Sequence, residues 1–211
     1  MNLHEFADET ASESPAPGGG SISAYMGALA SSLATMVANL SSHKRGWDDR
    51  WEEFSNWAER GKAYQVELIK MVDEDTNAFN RIMDAFGLPK KTEEEKVARH
   101  QAIQEATKKA VQDATRYATE VPFKTMMLCY ECMEVVKAMA EIGNPNSVTD
   151  AGVGALAARS GVIGAFLNVK INATGLDNKE YANDVISRAE KVVEMAKQME
   201  TDILNIVNSK I

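Results

Sequence analysis

The chain has 211 residues, 45% of them hydrophobic and 26% charged, the proportions of one globular domain large enough to bury a substantial core. Its 31 acidic residues outnumber the 23 basic ones and leave a net charge of −8, which argues against the broad basic surface that grips a phosphate backbone; no nucleic-acid partner is expected. The opening stretch carries His4, Glu5, Asp8, Glu9 and Glu13 where a secretory leader would have a basic segment and an apolar run, so residence in the cytoplasm is expected.

From Ser14 to His43 there is no Lys, Arg, Asp or Glu. The run is long enough to raise the question of a membrane span. However, Ser21, Ser23, Ser31, Ser32, Thr35 and Asn39 interrupt it, and the rest is rich in Gly and Ala. The expectation is a helix buried on nearly all sides within a protein or oligomer, with no membrane partner, its small side chains admitting neighbouring backbones. Arg50 to Phe86 then reads as one long helix, because Phe54, Trp57, Gly61, Tyr64, Leu68, Met71, Asp75, Ala78 and Ile82 follow at alternating steps of three and four. Leu88-Pro89-Lys90 is read as its end, and Thr92 to Glu95 as a capping box opening the next helix, which runs to about Thr119.

Within that helix Gln104 to Ala110 is echoed by Gln112 to Ala118, a duplication of about two turns. Pro122 is read as resetting the chain into a further helix that reaches Ile142. Gly143-Asn144-Pro145-Asn146 is turn chemistry, Asp150 to Ala173 is helical with Gly175 as its stop, and Lys179 to Asn208 carries a heptad seam through Val185, Ala189, Val192, Ala196, Met199, Ile203 and Ile206. No segment reads as a sheet. The fold expected is all-α, a single domain over residues 1–211 forming an antiparallel bundle of about six long helices, with surplus apolar seams that point to an oligomer.

Cys129 and Cys132 form a lone C-x-x-C among helical core residues, with no second pair to complete a zinc site, and read as small buried side chains. The residues suited to chemistry lie elsewhere. Gly18, Gly19, Gly20 and Ser21 open the charge-free helix, where free N–H groups and absent side chains suit an anion or a carbonyl; a tight turn between helices would need the same residues. Asp75 falls on an otherwise apolar stripe, so its carboxyl must be hydrogen-bonded, ion-paired or raised in pKa. That makes it a candidate general acid or base, with a structural ion pair as the competing account. Asn168 and Asn172, one turn apart, could read the edge of a heterocycle or tie helices together. Asp150 suits a helix cap or a ligand contact, and Lys44 and Arg45, after the charge-free helix, could grip carboxylates or simply favour a helix end.

Seven motifs in order resemble the cyclodeaminase/cyclohydrolase family, found as the C-terminal half of formimidoyltransferase-cyclodeaminase and as free-standing bacterial proteins. They are Pro15 to Ser21, Val37 to Leu40 with Lys44-Arg45, Val72 to Phe79, Leu88 to Lys90, Gly143 to Asn146, Ser147 to Asp150 and Asn168 to Asn172. The resemblance implies an all-helical homodimer with a folate site near the subunit interface, and no prosthetic group. It implies a tetrahydrofolate derivative, mono- or polyglutamylated, as substrate, and a separate formimidoyltransferase as supplier, since no transferase half is present. The implied reaction is cyclisation of the 5-formimidoyl group to a 5,10-methenyl bridge with loss of ammonia, in histidine degradation. The alternatives are methenyltetrahydrofolate cyclohydrolase, and a non-catalytic folate-binding or helical adaptor protein. On this reading Asp75, with Asp150 second, transfers protons; Gly18 to Ser21, Asn168 and Asn172 hold the pterin; Lys44 and Arg45 hold the glutamate tail.

Overall fold

A computed structural model describes residues 2–87 and 97–211. The described residues hold six helices and two short 3₁₀ turns joined by loops, with no strand among them: α1 (Leu3–Thr10), α2 (Gly19–Ser42), α3 (Trp51–Gly87), α4 (Val97–Ile142), α5 (Val148–Thr174) and α6 (Lys179–Asn208). The expected number of helices is met by a different set. The chain before the glycines forms α1, opened by a capping box in which Asn2 Oδ1 accepts from Glu5 N at 2.9 Å and Glu5 Oε2 from Asn2 N at 2.7 Å. The two helices expected on either side of Pro122 are instead one, α4, with the proline inside it. The Leu88-Pro89-Lys90 stop and the Thr92–Glu95 capping box lie outside the described residues.

The charge-free helix is the hub of the bundle and packs on α3, α4 and α5, while α6 covers α4 and α5. Neighbours on either side of it run antiparallel to it, since Gly27 meets Leu68 and Gly61 meets Thr35 along α3, whereas Gly161 meets Ser23 and Gly154 meets Ala30 along α5. Such close approach works because the serine and threonine hydroxyls from Ser23 to Ser42 are satisfied inside α2. The hydroxyls of Ser23, Ser31 and Ser41 donate to the carbonyls of Gly19, Gly27 and Val37, four residues back, at 2.6, 2.9 and 2.6 Å. Around this hub Phe54, Leu68, Met126, Met133, Met139 and Ile203 are fully buried. Cys129 and Cys132 are buried free thiols. Burial pushes the Cys132 thiol up to about 12 and Cys129 well above its usual value, so both stay protonated at neutral pH.

The hub is less enclosed than its composition suggests. Leu29, Met36 and Leu40 of α2 are exposed, as are Val153, Leu156, Leu167 and Ile171 of α5. By length and hydropathy α2 and the 145–174 segment could each cross a membrane, but in the bundle they pack against one another.

A Cβ added at Gly27 would collide with Cys129 Sγ and crowd Leu68. Gly27→Ala should therefore lower stability by about 1–3 kcal/mol through overpacking, after subtracting the small gain in helix propensity. A melting curve should fall by several degrees, and Cys129→Ala in the same chain should recover part of the loss.

Candidate active site

The N-terminus of α2 meets the C-terminal halves of α3 and α5 and the middle of α4 in one small pocket. It is lined by Pro15, Ala16, Gly18, Gly19, Gly20, Asp75, Ala78, Phe79, Ile82, Ala118, Asn168 and Asn172, with a volume of about 140 Å³. Larger hollows exist, one of about 850 Å³ along α2 and α3 and one of about 690 Å³ beneath α1. Neither of these is lined by a sheltered carboxyl facing a helix start. Chemistry rather than size selects the smaller one.

Helix α2 begins after Gly18, and its first intrahelical bond runs from Ile22 N to Gly18 O at 3.0 Å. The N–H groups before Ile22 have no carbonyl to donate to within the helix, and the Asp75 carboxylate lies against them. A Cβ at Gly20 would fall inside that carboxylate, so only glycine permits the contact. Ser21 is fully buried. Its hydroxyl donates to Asp75 Oδ2 at 2.9 Å and also lies 3.1 Å from Val72 O, while its backbone N–H bonds the same carboxylate.

Two opposed effects act on Asp75. Burial raises its pKa above the ordinary aspartate value, and the two Ser21 hydrogen bonds pull it down; burial wins. The outcome is a carboxyl that takes up a proton more readily than a surface aspartate does, next to a cluster of N–H donors.

On the opposite wall, Asn168 Nδ2 donates to Gly164 O at 3.0 Å and Asn172 Nδ2 to Ala118 O at 2.6 Å. Both carboxamides are anchored through nitrogen, which leaves each Oδ1 without a partner among the described residues. Of the residues singled out from sequence, Gly18, Gly19, Gly20, Asp75, Asn168 and Asn172 line the pocket and Ser21 supports it. Three others lie apart within the chain. Asp150 sits in the first turn of α5, about 27 Å along the helix from Asn168. Lys44 and Arg45 follow the far end of α2, roughly 35 Å from its glycines, and Lys44 Nζ rests 4.0 Å over the Trp47 ring. Antiparallel packing explains both separations, because the start of α5 and the end of α2 meet at the other end of the bundle, where Asn144 N donates to Ser41 Oγ at 2.8 Å.

Ala118 and the Arg81–Tyr117 pair escaped the sequence reading. Arg81 stacks 4.0 Å over Tyr117, and the next residue of each, Ile82 and Ala118, lines the pocket. Arg81 is an off-stripe charge with no signal of its own. Ala118 does have one: Pro122, four residues later.

Fold and site together define an all-helical protein that holds one sheltered acid at a helix start, opposite a ladder of amides. A family model described as formiminotransferase-cyclodeaminase matches residues 2–191, and the chain belongs to that family. It is 36% identical over 209 residues to a methenyltetrahydrofolate cyclohydrolase of Methylorubrum extorquens, covering 99% of this chain and 97% of that one. It is 29% identical over 209 residues to the formimidoyltransferase-cyclodeaminase of Rattus norvegicus, again covering 99% of this chain but 37% of the longer relative. A crystal structure of a formiminotetrahydrofolate cyclodeaminase from Thermotoga maritima shares the fold, with a TM-score of 0.83 at 22% identity over 99% of this chain and 96% of that one.

The raised pKa of Asp75 carries a stability consequence. A carboxyl whose folded value exceeds its unfolded value, about 3.9, favours the fold most below that unfolded value and loses the contribution as pH rises through the folded one. Asp75→Asn does not titrate. Its melting temperature relative to the native protein should therefore climb as pH rises from the ordinary aspartate value through the raised folded one, and a difference that stays flat would show that Asp75 is not held above its ordinary value.

Proposed function

We propose that the protein is a folate enzyme that works on the single carbon bridging N5 and N10 of tetrahydrofolate, with Asp75 as its proton-transfer group. The observation that carries this reading is the sheltered Asp75 carboxyl against the Gly18–Ser21 helix start, in a chain of this family. Both reactions named for its relatives pass through a tetrahedral carbon held by the two nitrogens, and each needs protons removed and returned.

Hydrolysis of the methenyl bridge is the reading with the stronger support, because the relative that is 36% identical along nearly its whole length bears that name, whereas the cyclodeaminase structure matched as fully is 22% identical. Water would add to the bridging carbon as the Asp75 carboxylate takes one of its protons. The C–N5 bond would then break with that proton returned to N5, leaving a formyl group on N10 and one proton released to solvent. Ammonia release from a 5-formimidoyl group is the second reading, which the resemblance in sequence favours and which the names of the cyclodeaminase relatives keep open. There N10 would attack the formimidoyl carbon and its proton would pass to the departing nitrogen. A further proton from Asp75 would complete ammonia and leave the methenyl cation.

A volume of about 140 Å³ holds the reacting end of a folate and no more, since pockets for whole ligands of that size span roughly 300–1,000 Å³. A second surface must cover the rest. We take it to be another copy of the chain, because Leu167 and Ile171, 62% and 66% exposed, flank the pocket residues Asn168 and Asn172.

Methenyl hydrolysis and ammonia release should be assayed side by side on purified protein, and activity in neither would discard the folate reading. Asp75→Asn should lower the active reaction by about 10²-fold or more while changing KM much less. A folded variant with native turnover would remove Asp75 from the mechanism. Light scattering should report at least two subunits at micromolar concentration, and Leu167→Glu with Ile171→Glu should yield a monomer of reduced activity; a fully active native monomer would overturn the shared site.

A further inference from the structure

A proline inside a helix removes the N–H that the carbonyl four residues earlier would accept, and its ring crowds that carbonyl. In α4 the proline is Pro122 and the carbonyl belongs to Ala118. Ala118 is 4% exposed, too little for water to supply the missing donor freely. The donor comes from another helix: Asn172 Nδ2 of α5 lies 2.6 Å from Ala118 O.

This bond also decides which way the carboxamide faces. Turning the amide over would set Asn172 Oδ1 against the Ala118 carbonyl, two acceptors with no proton between them. With nitrogen committed to α4, Oδ1 has no partner among the described residues, and Asn172 and Ala118 are both in the wall of the pocket that holds Asp75. An alanine at position 122 would suit a helix interior far better than proline does. The cost is local, and what it yields is local too: a freed carbonyl that anchors a pocket amide.

We propose that Pro122 is a positioning residue of the active site, acting through Ala118 O to fix the Asn172 carboxamide so that its Oδ1 is offered to an N–H of the bound heterocycle. The wedge of Pro122, Ala118 and Asn172 stands on geometry alone, and only the identity of the ligand rests on the folate reading. Replacing Pro122 by Ala would return an N–H to the helix and relieve the ring contact, letting the Ala118 carbonyl swing back to its own helix and releasing the Asn172 amide to rotate.

The test is a cycle of Pro122→Ala, Asn172→Ala and the double variant, measured by melting temperature and by KM and kcat for methenyltetrahydrofolate. Asn172→Ala strands a buried carbonyl and should lower the melting temperature by on the order of 5 °C. The double variant should regain most of that loss, because the new N–H serves Ala118. Pro122→Ala alone should melt no lower than the native protein yet show KM raised on the order of 10-fold, with kcat changed much less, and the double variant should keep the high KM despite its recovered stability. Additive melting shifts would break the link through Ala118. A native KM in Pro122→Ala would reduce the proline to a structural feature and overturn the proposal. Coupled melting shifts in a chain that turns over neither folate would uphold the wedge and reject the ligand named for it.

Discussion

The contact on which the rest of the site depends is that of the Asp75 carboxylate with the first turn of α2. It requires three residues at once: a carboxyl on the buried stripe of α3, a glycine at position 20 to make room for it, and the Ser21 hydroxyl to bond it. Helix starts favour a negative charge, and burial disfavours one. Because burial is the larger effect here, the group ionises less freely than a surface aspartate. Sheltering a carboxyl in this way costs the fold some stability, and an upward shift is the direction in which general acids and bases are tuned.

The contact is possible only because α2 lets its neighbours come close. Serines that bond their own helix, and glycines at 27, 161 and 164 that leave space for Cys129 and Ser23, bring α3, α4 and α5 onto one central backbone. The same closeness sets Asn168 of α5 beside Gly19 of α2, where a Cβ on the glycine would stand 3.5 Å from Asn168 Nδ2. Packing and site geometry are therefore one constraint: larger side chains on the hub would move the amide wall away from the acid. Ion pairs contribute at the periphery, as where Arg159 Nε meets the nearly buried Glu200 Oε2 at 2.9 Å and ties α5 to α6.

The bundle places its functional groups unevenly along its length. The acid, the glycines and the amides share one end, while Asp150, Lys44 and Arg45 belong to the other. A ligand reaching from one end to the other would have to span roughly 30 Å of helix. The exposed apolar residues beside the amides, Leu167 and Ile171, give that end of the bundle a surface suited to covering.

Helical periodicity was legible in the sequence because it is a local property. The stripe from Phe54 to Ile82 gave α3, the seam from Val185 to Ile206 gave α6, and the position of Asp75 on an apolar face already implied a sheltered carboxyl. The glycine cluster likewise marked a close backbone approach, and Gly20 is where it occurs. What lay beyond the sequence was everything that depends on a partner from elsewhere in the chain. Pro122 carries a strong local signal to end a helix, and α4 continues through it because Asn172, 50 residues away, supplies the hydrogen bond that the proline removes. Asp150 and Asn168 share one helix and read alike as polar groups near small residues, but only the antiparallel pairing of α2 with α5 decides which of them faces the glycines. Periodicity tells which side of a helix is buried; the direction in which two helices pass each other determines which end meets the site.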